Sequence, residues 1–140
     1  MRAVVDTGVV AYFLLGTQPF VDEARRFWRA VRRPIAPALW EAEAANVVWM
    51  AVRAGVLPAE EGSKRLDWAA ALGIHSVPNR TLWQGALARA IESGVAVYDT
   101  LFVELAGRER LPLATFDGRV LSAFPEIAHR PSDLLAKSHV

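Results

Sequence analysis

Near its start the chain carries a short run without a polar residue, Ala3-Val4-Val5, that passes directly into Asp6-Thr7-Gly8. Near its end a similar order returns: Leu111-Pro112-Leu113-Ala114, then Thr115, Phe116 and Asp117-Gly118. A strand that is apolar at every position has no face for water. It belongs inside a parallel sheet covered by helices on both sides. In open sheets of that kind, ligands sit outside the carboxyl ends of the strands. Asp6 and Asp117 therefore stand where a site would be. Asp and Thr are also good N-caps, and on local grounds Asp6-Thr7 could simply cap the helix that follows.

The 140 residues suit one domain, expected over 1–140, with enough apolar content to bury a core. The apolar runs are interrupted by Arg, Glu or Asp before reaching the ~18 residues of a membrane helix, so no membrane association is expected. The apolar segment after Met1-Arg2 is broken by Asp6 and shows no cleavage-type site. There is no cysteine, which removes disulfides, thiolate nucleophiles and zinc–thiolate sites. A soluble, cytoplasmic protein is the expectation. Sixteen basic and fifteen acidic side chains leave a net charge of +1, so overall charge does not point to nucleic acid. Asn79-Arg80-Thr81 matches a glycosylation sequon and is read as chance.

Between the two strand-like runs the chain reads mainly as helix. Val9 to Leu15 forms a short apolar helix ended by Gly16. Gln18-Pro19 opens a second, on which Ala24, Phe27, Trp28 and Val31 share one face and Arg25, Arg26, Arg29, Arg32 and Arg33 the other. That arginine ridge is either a solvated exterior or a surface for phosphate or a partner. Pro34 to Pro37 is extended. Ala38 to Arg53 reads as a long helix, apolar nearly all round and mostly buried, yet carrying Glu41, Glu43 and Asn46. The two glutamates lie about 200° apart around the axis, so both cannot face one site, and spacing leaves open which points inward.

Pro58 opens a helix that Gly73 stops, with Leu66, Ala69, Ala70 and Leu72 on its apolar side. Ile74 to Val77 is extended. Leu82 to Ser93 forms a further helix with Leu82, Ala86, Leu87 and Ala90 on one face. The spacing predicts a helix over Thr100 to Glu109 with Asp99 at its start. Phe102, Val103 and Ala106 follow Asp99 at helical intervals, so it heads the apolar stripe either as an N-cap or as a buried acid needing a cation. Arg119 to Ala123 is a short helix, Ile127 to His129 an edge strand, and Pro131 to Leu135 a capped turn that frays. Alternating strands and helices argue for α/β architecture, a central parallel sheet with helices on both faces.

Four acids stand at informative positions: Asp6 and Asp117 after strands, Asp99 at a helix start, and Glu43 or Glu41 on an apolar helix. Oxygen ligands of this kind suit Mg²⁺ or Mn²⁺. Two carboxylates ~4 Å apart repel by about 4 kcal/mol at an effective dielectric of ~20, so a gathered set needs a cation or must take up protons. A metal there would acidify a bound water and clamp a phosphodiester.

At this point the chain resembles the PIN-domain ribonucleases, most closely the VapC toxins of bacterial and archaeal toxin–antitoxin pairs. Val4-Val5-Asp6-Thr7 resembles the family's first acidic motif. Ala36-Pro37-Ala38-Leu39-Trp40 with Glu43 and Asn46 resembles the second, which selects Glu43 over Glu41. Tyr98-Asp99-Thr100-Leu101 with Ala106 is similar to the third, and Ala114-Thr115-Phe116-Asp117 to the fourth. The likeness covers the whole chain; Gly8 stands where many relatives carry a serine or another larger residue.

The resemblance implies a PIN-like three-layer α/β/α fold with a mostly parallel sheet of four or five short strands and about seven helices. It implies a Mg²⁺- or Mn²⁺-dependent endoribonuclease. Asp6 and Asp99 would be the principal ligands, Glu43 and Asp117 would complete the pocket, and Thr7 and Thr115 would support it. RNA would be the substrate. A cognate antitoxin and a second copy of the chain would be the partners, in contact with helices carrying Trp40, Trp49, Trp68 and Trp83, although tryptophans are more often core.

Rival chemistries lack their residues. A phosphotransfer receiver needs paired acids at the first strand and a late lysine at its site, whereas Asp6 stands alone and the lysines are Lys64 and Lys137. A haloacid-dehalogenase-type phosphatase needs an acid at position 8, which is Gly. No P-loop is present, and His75, His129 and His139 show no ligand spacing. The alternative from another class is a PIN-like module that binds RNA or protein with little or no cleavage.

Overall fold

A computed structural model describes residues 1–138. Five short strands form one sheet: β1 (Val4–Val5), β2 (Ile35–Pro37), β3 (His75–Val77), β4 (Leu113–Ala114) and β5 (Ala128–His129). Their order is β3-β2-β1-β4-β5, and all four pairings are parallel. Val4 lies opposite Ile35 on one side and Leu113 on the other. Ala3, Val4, Val5, Ala36 and Ala114 are fully buried, as the unbroken apolar runs require. Helices cover both faces in a three-layer α/β/α arrangement.

Eight α-helices are described: α1 (Thr7–Leu15), α2 (Val21–Ala30), α3 (Leu39–Arg53), α4 (Gly62–Ala71), α5 (Trp83–Ser93), α6 (Val97–Glu109), α7 (Gly118–Ala123) and α8 (Pro131–Ser138). Helix α6 packs across β1, β2 and β4 and against α5. Helix α1 packs against α2, α3 and α4. The contact between α5 and α6 is close enough that a β-carbon at Gly85 would collide with the Glu104 carboxylate, which Arg89 (2.9 Å) and Arg108 (2.6 Å) hold.

Several sequence expectations change. Helix α1 starts at Thr7 rather than Val9, because Asp6 is extended and its carboxylate accepts the Thr7 N–H. Helix α6 starts at Val97, where extended Ala96 is the N-cap; Asp99 lies inside the first turn and is no cap. Helix α3 buries only a stripe, Trp40, Ala44, Val48 and Ala51, and leaves Trp49 and Met50 each 55% exposed. Of the tryptophans weighed as core, Trp40 is buried, whereas Trp49, Trp68 and Trp83 are exposed. Leu66 and Leu87, placed on apolar faces, are exposed as well.

The tail from Pro131 is a helix rather than a fraying turn. Its first turn is fixed by Glu23, whose carboxylate accepts from the Ser132 N–H (2.9 Å) and the Arg130 guanidinium (2.5 Å). Burial works against the Glu23 charge, but these donors hold its pKa below the ordinary value. All five arginines of the ridge are exposed. His75 is exposed, His129 is half-buried on β5, and His139 lies outside the described residues.

Candidate active site

The strand order decides where the acids go. From β1 the chain builds outward through β2 and β3, then returns to place β4 on β1's other side. The connections leaving β1 and β4 diverge, which opens a crevice at their carboxyl ends, the switch point at which such sheets bind ligands. The Asp6 N–H donates to the Ala114 carbonyl (3.0 Å), so the two strand ends are fastened together. Asp6, Glu43, Asp99 and Asp117 come from four separate elements and line one cleft of about 540 Å³ there. Glu41 is exposed in the first turn of α3 and takes no part.

Two buried threonines organise the carboxylates. The Thr115 hydroxyl donates to Asp6 Oδ2 (2.6 Å) and accepts the Asp117 N–H (3.0 Å). The Thr7 hydroxyl donates to Glu43 Oε1 (2.8 Å), while its N–H donates to Asp6 Oδ1 (2.9 Å). Asp117 Oδ1 accepts from the Arg119 and Val120 N–H groups (2.9 and 3.1 Å) and so caps α7. Capping and cleft lining are compatible in both Asp6 and Asp117, because a carboxylate has about four lone-pair sites. Asn46 also lines the cleft; its Nδ2 lies 3.6 Å from Met50 Sδ.

The electrostatics are those of crowded acids. Burial, with Asp99 and Glu43 adding repulsion, pushes Asp6 up to about 7 despite its threonine hydrogen bonds. Burial raises Glu43, with the Thr7 hydroxyl opposing and Asp99 adding to the rise. Burial and then Asp117 raise Asp99, partly offset by the Arg119 guanidinium. Among the described residues no group donates a hydrogen bond to the Asp99 carboxylate, as befits a carboxylate that caps nothing.

The donor set is oxygen-only and anionic, the chemistry Mg²⁺ and Mn²⁺ favour. Among the described residues no three acid or imidazole side chains are already drawn close enough to form a ready-made cation cluster. Mg²⁺ commonly keeps several waters and uses one or two carboxylates, so four acids around a cleft of this size fit that ion.

Sequence reasoning missed the cleft's other wall, formed by Tyr12, Phe20 and Phe116. Gly8 and Tyr12 are four residues apart on α1 and share a face, and Phe116 precedes Asp117. Those spacings were the available signals.

A parallel sheet with an acid-lined crevice at its switch point defines an α/β protein of the PIN class, and the chain belongs to the PIN domain family, which matches residues 3–128. It is 30% identical over 131 residues to Ribonuclease VapC3 of Pyrobaculum aerophilum, covering 91% of this chain and 98% of that protein. Among solved structures it is similar to VapBC2 from Rickettsia felis bound to a promoter DNA fragment. That match has a TM-score of 0.64 at 12% identity, over 93% of this chain and 98% of that one. It is also similar to a toxin–antitoxin complex from Klebsiella pneumoniae, with a TM-score of 0.61 at 19% identity, over 92% and 97% of the two chains.

Proposed function

We propose that this protein is a Mg²⁺- or Mn²⁺-dependent endoribonuclease and the toxin of a toxin–antitoxin pair. The observation that carries the proposal is the convergence of Asp6, Glu43, Asp99 and Asp117 from four elements onto one cleft at the switch point. The kinship with a ribonuclease supports it.

Asp6 and Asp99 are assigned as principal metal ligands, with Glu43 and Asp117 completing the pocket directly or through water. A bound divalent ion would supply an acidified water and neutralise charge on the phosphodiester. The chain's own part is positioning. Thr115 fixes Asp6 and the Asp117 backbone, Thr7 fixes Glu43, and partial burial keeps these carboxylates short of solvent. Incoming cation charge favours the ionised form of Asp6, which the metal-free cleft disfavours.

Partner contacts are assigned to the exposed apolar side chains. Trp49 and Met50 are exposed together on α3 and Trp68 on α4, and Trp83, Leu87 and Ile91 recur every four residues along α5. Surfaces of this kind mark protein contacts and suit an antitoxin and a second copy of the chain. Among the described residues no helix is long and apolar enough to cross a membrane. Action on RNA in the cytoplasm is the proposed setting.

The separation of the acids favours a second reading, an RNA- or protein-binding module that cleaves little. Incubating pure protein with RNA in Mn²⁺, in EDTA and with Asp6→Asn distinguishes the two. Cutting that EDTA and Asp6→Asn abolish supports the nuclease. Binding without products, indifferent to metal, supports the module.

A further inference from the structure

We propose that Tyr12, Phe20 and Phe116 form a nucleobase subsite that seats one base of single-stranded RNA beside the phosphate at the acidic end of the cleft. This rests on the reading of the cleft as an RNA-cleaving site.

The three rings and the four carboxylates line the same opening. Phe20 and Phe116 lie parallel, 4.5 Å apart with planes 6° from one another. Tyr12 meets both edge-on, at 5.2 and 5.3 Å. All three rings are half-buried, unlike Phe27 and Phe102, which are fully enclosed in the core. Each ring of the pair covers one face of the other, and the Arg130 guanidinium lies nearer Phe20, so the base is assigned to the second face of Phe116, stacking being the mode by which proteins hold unpaired bases.

The platform is fixed before any ligand arrives. The Arg130 guanidinium lies 4.7 Å from the Phe20 ring and 5.7 Å from the Phe116 ring, and the Glu23 carboxylate holds that guanidinium in place. Ordering entropy on binding is correspondingly small.

The charge of the cleft points the same way. Four carboxylates repel a polyanion, and the arginine ridge of α2 does not line the opening. The Arg119 guanidinium near Asp99 offsets only part of that charge, so phosphate attraction, the usual source of affinity for nucleic acid, is weak here and stacking supplies the balance. Phe116 and Asp117 are consecutive at the end of β4, so the base platform and a carboxylate leave the same strand end. That order matches a nucleotide, in which base and phosphate are joined through one sugar. The Tyr12 hydroxyl, at the same wall, can donate to or accept from a base edge.

The test measures binding, so it does not depend on turnover. Asp6→Asn protein in Mg²⁺ is titrated, by fluorescence anisotropy, against a labelled unstructured RNA and against the same RNA with each base in turn replaced by an abasic site. One position is expected to weaken binding about tenfold, at the low end of what a base–aromatic stack contributes. Neighbouring positions are expected to change less than twofold. Phe116→Leu on the same background should lose about the same tenfold and no longer respond to the abasic substitution. Tyr12→Phe, which keeps the ring, should keep that response while changing which base is preferred.

A flat abasic scan, or no RNA binding at all, overturns the subsite. So does a Phe116→Leu protein that melts lower yet keeps its full abasic response. Wild-type protein that fails to cut RNA in Mn²⁺ refutes the nuclease reading instead, and the abasic scan then still judges the subsite.

Discussion

Asp6→Asn should stabilise this protein when metal is absent, although it deletes the central residue of its site. Lifting a carboxyl from its ordinary 3.8 to about 7 corresponds to ~4 kcal/mol in favour of the neutral form. Between those two values the native state holds a proton that the unfolded chain has released, so stability falls as pH rises. The penalty is absent below pH 3.8 and complete above about 7. Asparagine is neutral at every pH and escapes it. It keeps one carbonyl oxygen where aspartate accepts from both the Thr7 N–H and the Thr115 hydroxyl, and so forfeits one hydrogen bond, ~1–2 kcal/mol.

The net expectation in EDTA at pH 8 is a gain of ~2 kcal/mol, or roughly 6 °C in Tm for a chain of this size. At pH 5, not far above the ordinary value, only a minor part of the penalty is present, and the two proteins should melt close together. Added Mn²⁺ should raise the wild-type Tm and reverse the order. Thermal unfolding followed by circular dichroism reads all three conditions. An Asp6→Asn protein that melts lower by the same margin at pH 5 and pH 8 would refute the argument, because Asp6 would then act as a helix cap without electrostatic stress.

Two further substitutions probe the supports. Thr115→Val, at a fully buried position, removes the donor to Asp6 and the acceptor of the part-buried Asp117 N–H; a loss of ~1–3 kcal/mol is expected. The Thr115 hydroxyl holds the Asp6 pKa down, so the acid limb of the RNA-cleavage profile should move to higher pH; an unmoved limb contradicts the role. Arg130→Ala strands the buried Glu23 carboxylate with the Ser132 N–H and should cost ~2–3 kcal/mol in denaturant titrations near pH 7. Because the Glu23 pKa is lowered, its stabilisation is present above the ordinary 4.5 and is lost as pH falls, so mutant and wild type should converge in acid.

The exposed tryptophans show where a sequence pattern ceases to discriminate. A helix that is apolar nearly all round, like α3, satisfies the same periodicity whether its second face meets the core or another molecule. Trp40 turned inward against Ser76 Oγ, to which its indole N–H donates at 2.8 Å, while Trp49 turned outward. Which face is free depends on what packs beside it, and that lies in other parts of the chain. The start of α6 differs from the expectation where packing outweighs a local preference. Val97 and Tyr98 are β-prone, so their sequence reads as extended, and the packing of α6 across three strands overrides that preference.

The class of the fold, the apolar strands that end in Asp6 and Asp117, and the acids to watch are legible in the chain alone, because strand burial and helix periodicity are written in consecutive side chains. Spacing could not determine that Glu43 rather than Glu41 faces inward; the hydrogen bond from Thr7, 36 residues away in sequence, shows which one does. That the four acids share one cleft is a tertiary fact: the pairing of β4 with β1 joins Asp6 to Asp117, and the packing of α3 and α6 brings in Glu43 and Asp99. The aromatic wall opposite them is likewise a product of packing. Tyr12, Phe20 and Phe116 carry no shared period, and it is the crossing of α1, the loop before α2 and the end of β4 that brings their rings together.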